Sequence, residues 1–354
     1  MNIAVRVPNW IGDCVMSLPA LRALKDHCPH DNIKIITKPH LSEVFKNIDE
    51  IEEIITIPGK VKASHLFSAA GELKTHRFAA GILFTNSFNS ALLFRLAGIK
   101  PLTGYTKDLR GFLLDKKLKF PGDEDRNHHI YFYMGLVEAF TGRKIEKEYS
   151  DGLVIAGDEE EEVAGLLASR FSVDVSKTLI GISPSAAYGT AKQWLPGRFV
   201  ELIRRIIREK ETSEILLFGS AQEREKTERI REQSGSGRVH NLAGELTLRQ
   251  ALTAISLCSL FVSNDSGLMH AASSLKVPLM AIFGPTLPHK TSPRYEEAKV
   301  FHHPVECAPC KHRDCPSDHR CMKAVTVDEV YSYVKPRLSA SGGPPGGQTF
   351  INTL

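Results

Sequence analysis

With 354 residues, 42% hydrophobic and 24% charged, the chain is long enough for two domains that each bury a core, and too polar to be a membrane-embedded bundle. No apolar run approaches the roughly 18 residues of a transmembrane helix. The formal net charge of +4 is mild, and seven cysteines, an odd number without a signal-peptide pattern before them, fit a reducing cytoplasm better than a disulfide scaffold.

In chain order, strand Ile3–Val7 gives way to the loop Pro8–Asp13 and an apolar helix from Cys14 to His27, which Pro19 should kink or shorten. Strands at Ile33–Ile36, Ile51–Ile57, Ala80–Phe84 and Leu102–Tyr105 alternate with helices near Leu41–Ile48, Leu66–His76 and Ser90–Ala97, and a longer helix spans His128–Phe140. A polar connection then leads to the acidic helix start Glu159–Glu162, favourable at a positive dipole end. The second half repeats the pattern, with strands Leu179–Ser183, Glu214–Phe218, Val239–Leu242, Leu260–Ser263, Val277–Phe283 and Lys299–His302. Its helices fall at Gly197–Lys210, Gln222–Gln233, Thr247–Leu257 and His270–Leu275, and Thr326–Glu329 has capping-box spacing before a last helix to Leu338. Such alternation predicts α/β architecture: two doubly wound, Rossmann-like domains, 1–155 and 156–338, facing across a cleft, with a low-complexity tail at 339–354.

Between Lys60 and Lys119, eleven Lys or Arg residues stand against three acids, Glu72, Asp108 and Asp115, an excess of eight positive charges. A basic face of this kind implies an anionic partner, unless it serves only solubility. Nucleic acid is disfavoured because the segment lacks interleaved surface aromatics able to stack bases.

Four groups of residues carry candidate chemistry. Gly12 and Asp13 sit where the first strand passes into its helix, so Asp13 either caps the helix or acts as a general base. In the second half, Asn264, Asp265, Ser266 and Gly267 follow a buried strand and precede a helix, an arrangement that suits an anionic diphosphate. Lys192 ends a loop of small residues near the same sheet edge, either as an ordinary surface lysine or to neutralise a departing phosphate, and Gln222 follows another strand end. Cys307, Cys310, Cys315 and Cys321 form a thiol-rich segment that reads either as a structural zinc or iron–sulfur site or as free thiols, while Cys14, Cys28 and Cys258 read as core. The chain has no P-loop, no G-x-G-x-x-G after its first strand and no HExxH, and Asp123–Asp125 reads as an acidic surface loop.

Taken together, Asn9–Asp13, Asn86–Leu92, Thr103–Tyr105 with Arg110–Leu114, Lys192–Trp194, Phe218–Ala221, Asn264–His270, Ile282–Gly284 and Cys307–Cys310 resemble the bacterial ADP-heptose:lipopolysaccharide heptosyltransferases over residues 1–335. That resemblance implies a GT-B fold with the donor held mainly by the second domain, and within the family it points to the branch that adds a second heptose to the first heptose of the inner core. It makes Asp13 the base that deprotonates the acceptor hydroxyl in an inverting displacement. Lys192 would contact the donor phosphates and Asp265 the donor heptose, with Ser266, Gly267 and His270 around them. Gln222 would meet the ribose, although the corresponding residue of the first-heptose branch is acidic. Lys60, Lys62, Asn86, Lys107 and Arg110 would meet the acidic sugars and phosphates of a heptosyl-Kdo2-lipid A acceptor at the cytoplasmic face of the inner membrane. No cofactor is implied for catalysis. The alternatives are another ADP-heptose transferase of the family or, from a different class, a non-catalytic binder built around the cysteines.

Overall fold

The computed structural model describes residues 1–58, 63–122, 127–310 and 312–339; Lys60, Lys62, the acidic residues 123–125 and the tail from 340 lie outside them. The chain divides into two compact units, Met1–Val154 and a second beginning at Ile155.

The first unit runs β1 (Asn2–Arg6), α1 (Ile11–His27), β2 (Asn32–Thr37), β3 (Glu53–Thr56), α2 (Ala63–Thr75), β4 (Ala80–Leu83), α3 (Phe88–Leu96), β5 (Leu102–Tyr105), β6 (Lys116–Leu118) and α4 (Ile130–Thr141). Its six strands are parallel in the order β3-β2-β1-β4-β5-β6. Ile3, Ala4, Val5, Ile33, Ile35 and Ile82 are wholly buried, as expected where helices cover both faces and strands read as continuous apolar runs. Three expectations are revised. The expected helix at Leu41–Ile48 is instead a 3-10 segment, Pro39–Phe45, with the proline in its first turn. Helix α1 starts at Ile11 rather than Cys14 and continues through Pro19 to His27. Strand β6 carries no apolar alternation that would have announced it: Lys116 and Lys117 are exposed on a sheet edge.

The second unit runs α5 (Gly157–Phe171), β7 (Thr178–Ser183), α6 (Pro196–Glu209), β8 (Ser213–Leu217), α7 (Arg224–Ser234), β9 (Val239–Asn241), α8 (Leu248–Ser256), β10 (Leu260–Asn264), α9 (Gly267–Ser274), β11 (Leu279–Ile282), α10 (Pro288–Thr291), β12 (Ala298–Phe301), α11 (Arg320–Ala324) and α12 (Val327–Ser339). Its parallel sheet has the order β12-β11-β10-β7-β8-β9. Helix α6 shows how the pattern builds the layer: Phe199, Leu202, Ile203 and Ile206 are fully buried in one apolar cluster with β7, β8 and β10, while Arg204 and Arg208 stay at the surface. At the start of α5, Glu159 accepts from the Ala156 N–H at 2.9 Å and holds the buried Arg249 of α8 through two hydrogen bonds of 2.6 and 2.5 Å. Thr326 accepts from the Glu329 N–H at 3.2 Å, as its spacing predicted.

Candidate active site

In each sheet the chain order reverses between two adjacent strands, β1 and β4 in the first unit and β7 and β10 in the second. Ligands of open α/β sheets bind outside the carboxyl ends of strands at this switch point.

In the first unit the loop after β1 carries Asp13. It lies in the first turn of α1, three residues after the N-cap Trp10, which makes no side-chain cap bond. Tyr133 of α4 donates its hydroxyl to Asp13 Oδ1 at 3.0 Å. Burial first, and then the neighbouring Asp13 carboxylate, hold the Tyr133 hydroxyl well above its ordinary pKa, so it remains a neutral donor. The loop is stiffened by Arg6, 5% exposed, which donates to the Ile36 carbonyl at 2.7 Å and to Asn9 Oδ1 at 3.2 Å. Burial lowers the Arg6 guanidinium to about 10, which still leaves it a cation.

After β4 comes Asn86, whose Oδ1 accepts from Arg110 at 3.2 Å. Arg110 itself is 0% exposed. It donates to the Tyr105 carbonyl at 2.9 Å and the Thr85 carbonyl at 2.6 Å, so in place of the expected direct meeting with an acceptor it ties the end of β5 to the loop after β4 and holds Asn86. Lys107, by contrast, is exposed, with its ammonium 4.2 Å from the Phe120 ring centre.

In the second unit the loop after β7 and the start of α9 bring Lys192 and Asp265 together. Their ion pair is 2.6 Å long, with side chains only 18% and 6% exposed. Thr286, after β11, donates to the same carboxylate oxygen at 2.7 Å. The fully buried Trp194 anchors the loop: its N–H donates to Asn264 Oδ1 and its indole N–H to the Val325 carbonyl, both at 2.9 Å. Ser266 is the N-cap of α9, yet its side chain caps no N–H; its hydroxyl lies 3.0 Å from Ser263 Oγ instead. The first N–H groups of α9, beginning at the half-buried Gly267, are therefore not taken up by a side-chain cap. His270 lies one turn into α9 and is 7% exposed. Gln222 is exposed in a 3-10 turn beyond β8. An ammonium has three donors, and the ion pair engages one, so this edge retains the means to bind phosphate oxygens.

Among the described residues no group of three or more His, Cys, Asp and Glu side chains is arranged to hold a metal ion, so of the two readings of the thiol segment the zinc or iron–sulfur one gains no support. Cys307 is exposed, Cys310 and Cys315 are half-buried and Cys321 is buried, so the four thiols sit in different surroundings. Cys14 and Cys258 are buried as expected, whereas Cys28 is only partly so, at the C-cap of α1.

Sequence reasoning missed Tyr133, Thr286 and the bracing Arg6. Tyr133 and Thr286 lie far in sequence from the carboxylates they touch, and Arg6, though close to Asn9, reads as an ordinary strand residue until its burial is known.

Two parallel six-stranded sheets of this order, with polar loops at both switch points, are those of the GT-B architecture found among glycosyltransferases. The chain belongs to glycosyltransferase family 9 (heptosyltransferase), whose model matches residues 66–320. It is 31% identical to lipopolysaccharide heptosyltransferase 2 of Salmonella typhimurium over 85% of this chain and 88% of that one. It is 26% identical to lipooligosaccharide heptosyltransferase 2 of Campylobacter jejuni over 95% and 98%. The solved structure of the Escherichia coli ADP-heptose LPS heptosyltransferase II superposes with a TM-score of 0.82 at 27% identity, covering 96% of this chain and 98% of that one.

Proposed function

We propose that the protein transfers a heptose from ADP-heptose to the first heptose of a lipopolysaccharide inner core, with the donor held by the second unit and the acceptor by the first. The observation that carries this reading is the Lys192–Asp265 pair beside the uncapped start of α9. A short ion pair with one carboxylate and two further ammonium donors suits a ligand that is a sugar on one side and a diphosphate on the other. The helix N-terminus adds a positive dipole end where negative charge builds on the departing ADP.

Asp13 supplies the base. As the acceptor hydroxyl attacks the anomeric carbon, its proton passes to Asp13, and the bond to the ADP oxygen breaks on the opposite face of the ring. Tyr133, donating to Asp13 Oδ1, orients the carboxylate for that transfer. Asn86 and Lys107 contribute to the acceptor side, with Ser266, Gly267, His270 and Gln222 on the donor side. Among the described residues no helix is long and apolar enough to cross a membrane; we place the enzyme at the cytoplasmic face of the inner membrane, where a lipid-linked acceptor and a soluble nucleotide sugar meet.

The test is ADP release from ADP-heptose with Kdo2-lipid A carrying no heptose, one heptose or two. Turnover only with the one-heptose acceptor supports the proposal. Turnover with the heptose-free acceptor would assign the first transfer instead, and none with any acceptor would favour a binding protein.

A further inference from the structure

The thiol-rich segment has a place in the fold other than metal binding. At Arg313 and Asp314 it lies against the loop that carries Lys192. The Ala191 N–H donates to the Arg313 carbonyl at 2.9 Å, and Arg313 Nε donates to the Tyr188 carbonyl at 2.9 Å. Asp314 Oδ1 accepts from Thr190 Oγ1 at 2.7 Å and from the Thr190 N–H at 3.5 Å. This approach requires a glycine: Gly189 has φ 155°, and a Cβ there would lie 2.7 Å from the Arg313 carbonyl carbon. The Tyr188 ring lies between two cations, 5.4 Å from the Lys192 ammonium and 5.7 Å from the Arg313 guanidinium. A few residues earlier the Cys310 N–H donates to the Pro285 carbonyl at 2.9 Å, next to Thr286, which holds Asp265. The segment is thus tied both to the loop that carries Lys192 and to the loop whose Thr286 holds Asp265.

The Lys192 loop is a turn-rich segment: within Pro184–Gln193 the Gly189 N–H donates to the Ala186 carbonyl at 3.2 Å, the Gln193 N–H to the Thr190 carbonyl at 3.1 Å and Gln193 Nε2 to the Ala186 carbonyl at 3.4 Å. Lysine is a flexible point charge, so where its ammonium stands depends on how well its backbone is held.

We infer that Arg313 and Asp314 are positioning residues for the donor diphosphate, which brace the Thr190–Lys192 turn so that the Lys192 ammonium meets the phosphates without rearrangement. They touch no substrate and act through Lys192, so the inference rests on the donor-site reading above. Their contribution is preorganisation: without the brace, ligand binding must order the loop and loses affinity accordingly. The effect concerns phosphates alone, because the brace bears on the Lys192 turn and on nothing that would meet a base or ribose.

Calorimetric titration of the full chain with ADP and with adenosine tests this. Asp314→Ala should weaken ADP binding about tenfold and leave adenosine within about twofold, as expected for losing an ionised acceptor shared by two donors. Asp314→Asn, which keeps an acceptor oxygen, should restore ADP affinity to within about twofold of wild type. Thr190→Val should reproduce most of the Asp314→Ala loss, and the double variant should be no worse than Asp314→Ala alone, since the threonine hydroxyl acts through that carboxylate. If Lys192→Ala loses ADP while Asp314→Ala binds it normally, the brace is overturned and the donor site stands. If Asp314→Ala weakens ADP and adenosine alike, the residue maintains the whole site rather than Lys192. If Lys192→Ala binds ADP as wild type does, the donor-site reading fails and this inference with it.

Discussion

Asp13 and Tyr133 make the sharpest case for chemistry carried by single residues. Asp13→Asn keeps the shape and removes the basic oxygen, so turnover should fall ~10²–10⁴-fold while ADP affinity is unchanged in a titration. Tyr133→Phe removes a donor that favours the ionised carboxylate, so the acid limb of the kcat/KM profile should move to higher pH; an unmoved limb would separate Tyr133 from the base. Arg110 is a different matter. Truncation to Ala would strand the Thr85 and Tyr105 carbonyls in the interior at about 1–3 kcal/mol each, so chemical denaturation should show a clear loss of stability. The sequence made Asp13 legible because glycine and aspartate at a strand-to-helix turn are a local signal. It hid the burial of Arg110, since a basic residue within a basic segment looks like surface until the loops that enclose it are known.

The elements were readable where strands are buried on both sides. Strand β7 packs closely enough on β10 that a Cβ at Gly181 would lie 2.6 Å from Phe261 Cε2 and 3.1 Å from Cys258 Sγ. Gly181→Ala should therefore overpack that interior by ~1–3 kcal/mol, seen as a lower unfolding midpoint. The edge strands gave weaker signals, because their partners are charges rather than apolar neighbours. Lys34 of β2 faces Glu53 of β3 in register and pairs with it at 2.6 Å. The Lys34 hydrogen bond, with a smaller contribution from His76, holds the Glu53 carboxyl below its usual 4.5. A depressed carboxyl stabilises the fold above its ordinary pKa and loses that stabilisation as the pH falls through its folded value. With Glu53 partly exposed, the effect should be at most about 0.5 kcal/mol, detectable as a smaller acid-induced loss in urea titrations of Lys34→Met than of wild type.

Across the whole chain, the basic excess read from the sequence is smaller at the surface than its count implies. Arg110 is enclosed and Arg95 pairs with Asp115 at 3.0 Å, whereas Lys107, Lys116, Lys117 and Lys119 remain exposed. If those lysines attract an anionic lipid-linked acceptor, its KM should rise several-fold as salt goes from about 0.1 to about 1 M and the screening length falls from about 10 to about 3 Å. A flat response would leave them a solubilising role.

Both sheets thread their strands in the same sequence-to-space order, so one topology occurs twice in the chain. The loops at matching positions have nevertheless taken unrelated duties: after the first strand of each sheet stands a carboxylate in one unit and an ammonium in the other. Such a division of labour decouples two problems for evolution. Under the proposed roles, the loops that choose an acceptor can drift without disturbing those that hold the nucleotide sugar, so new linkages can arise on an unaltered donor half.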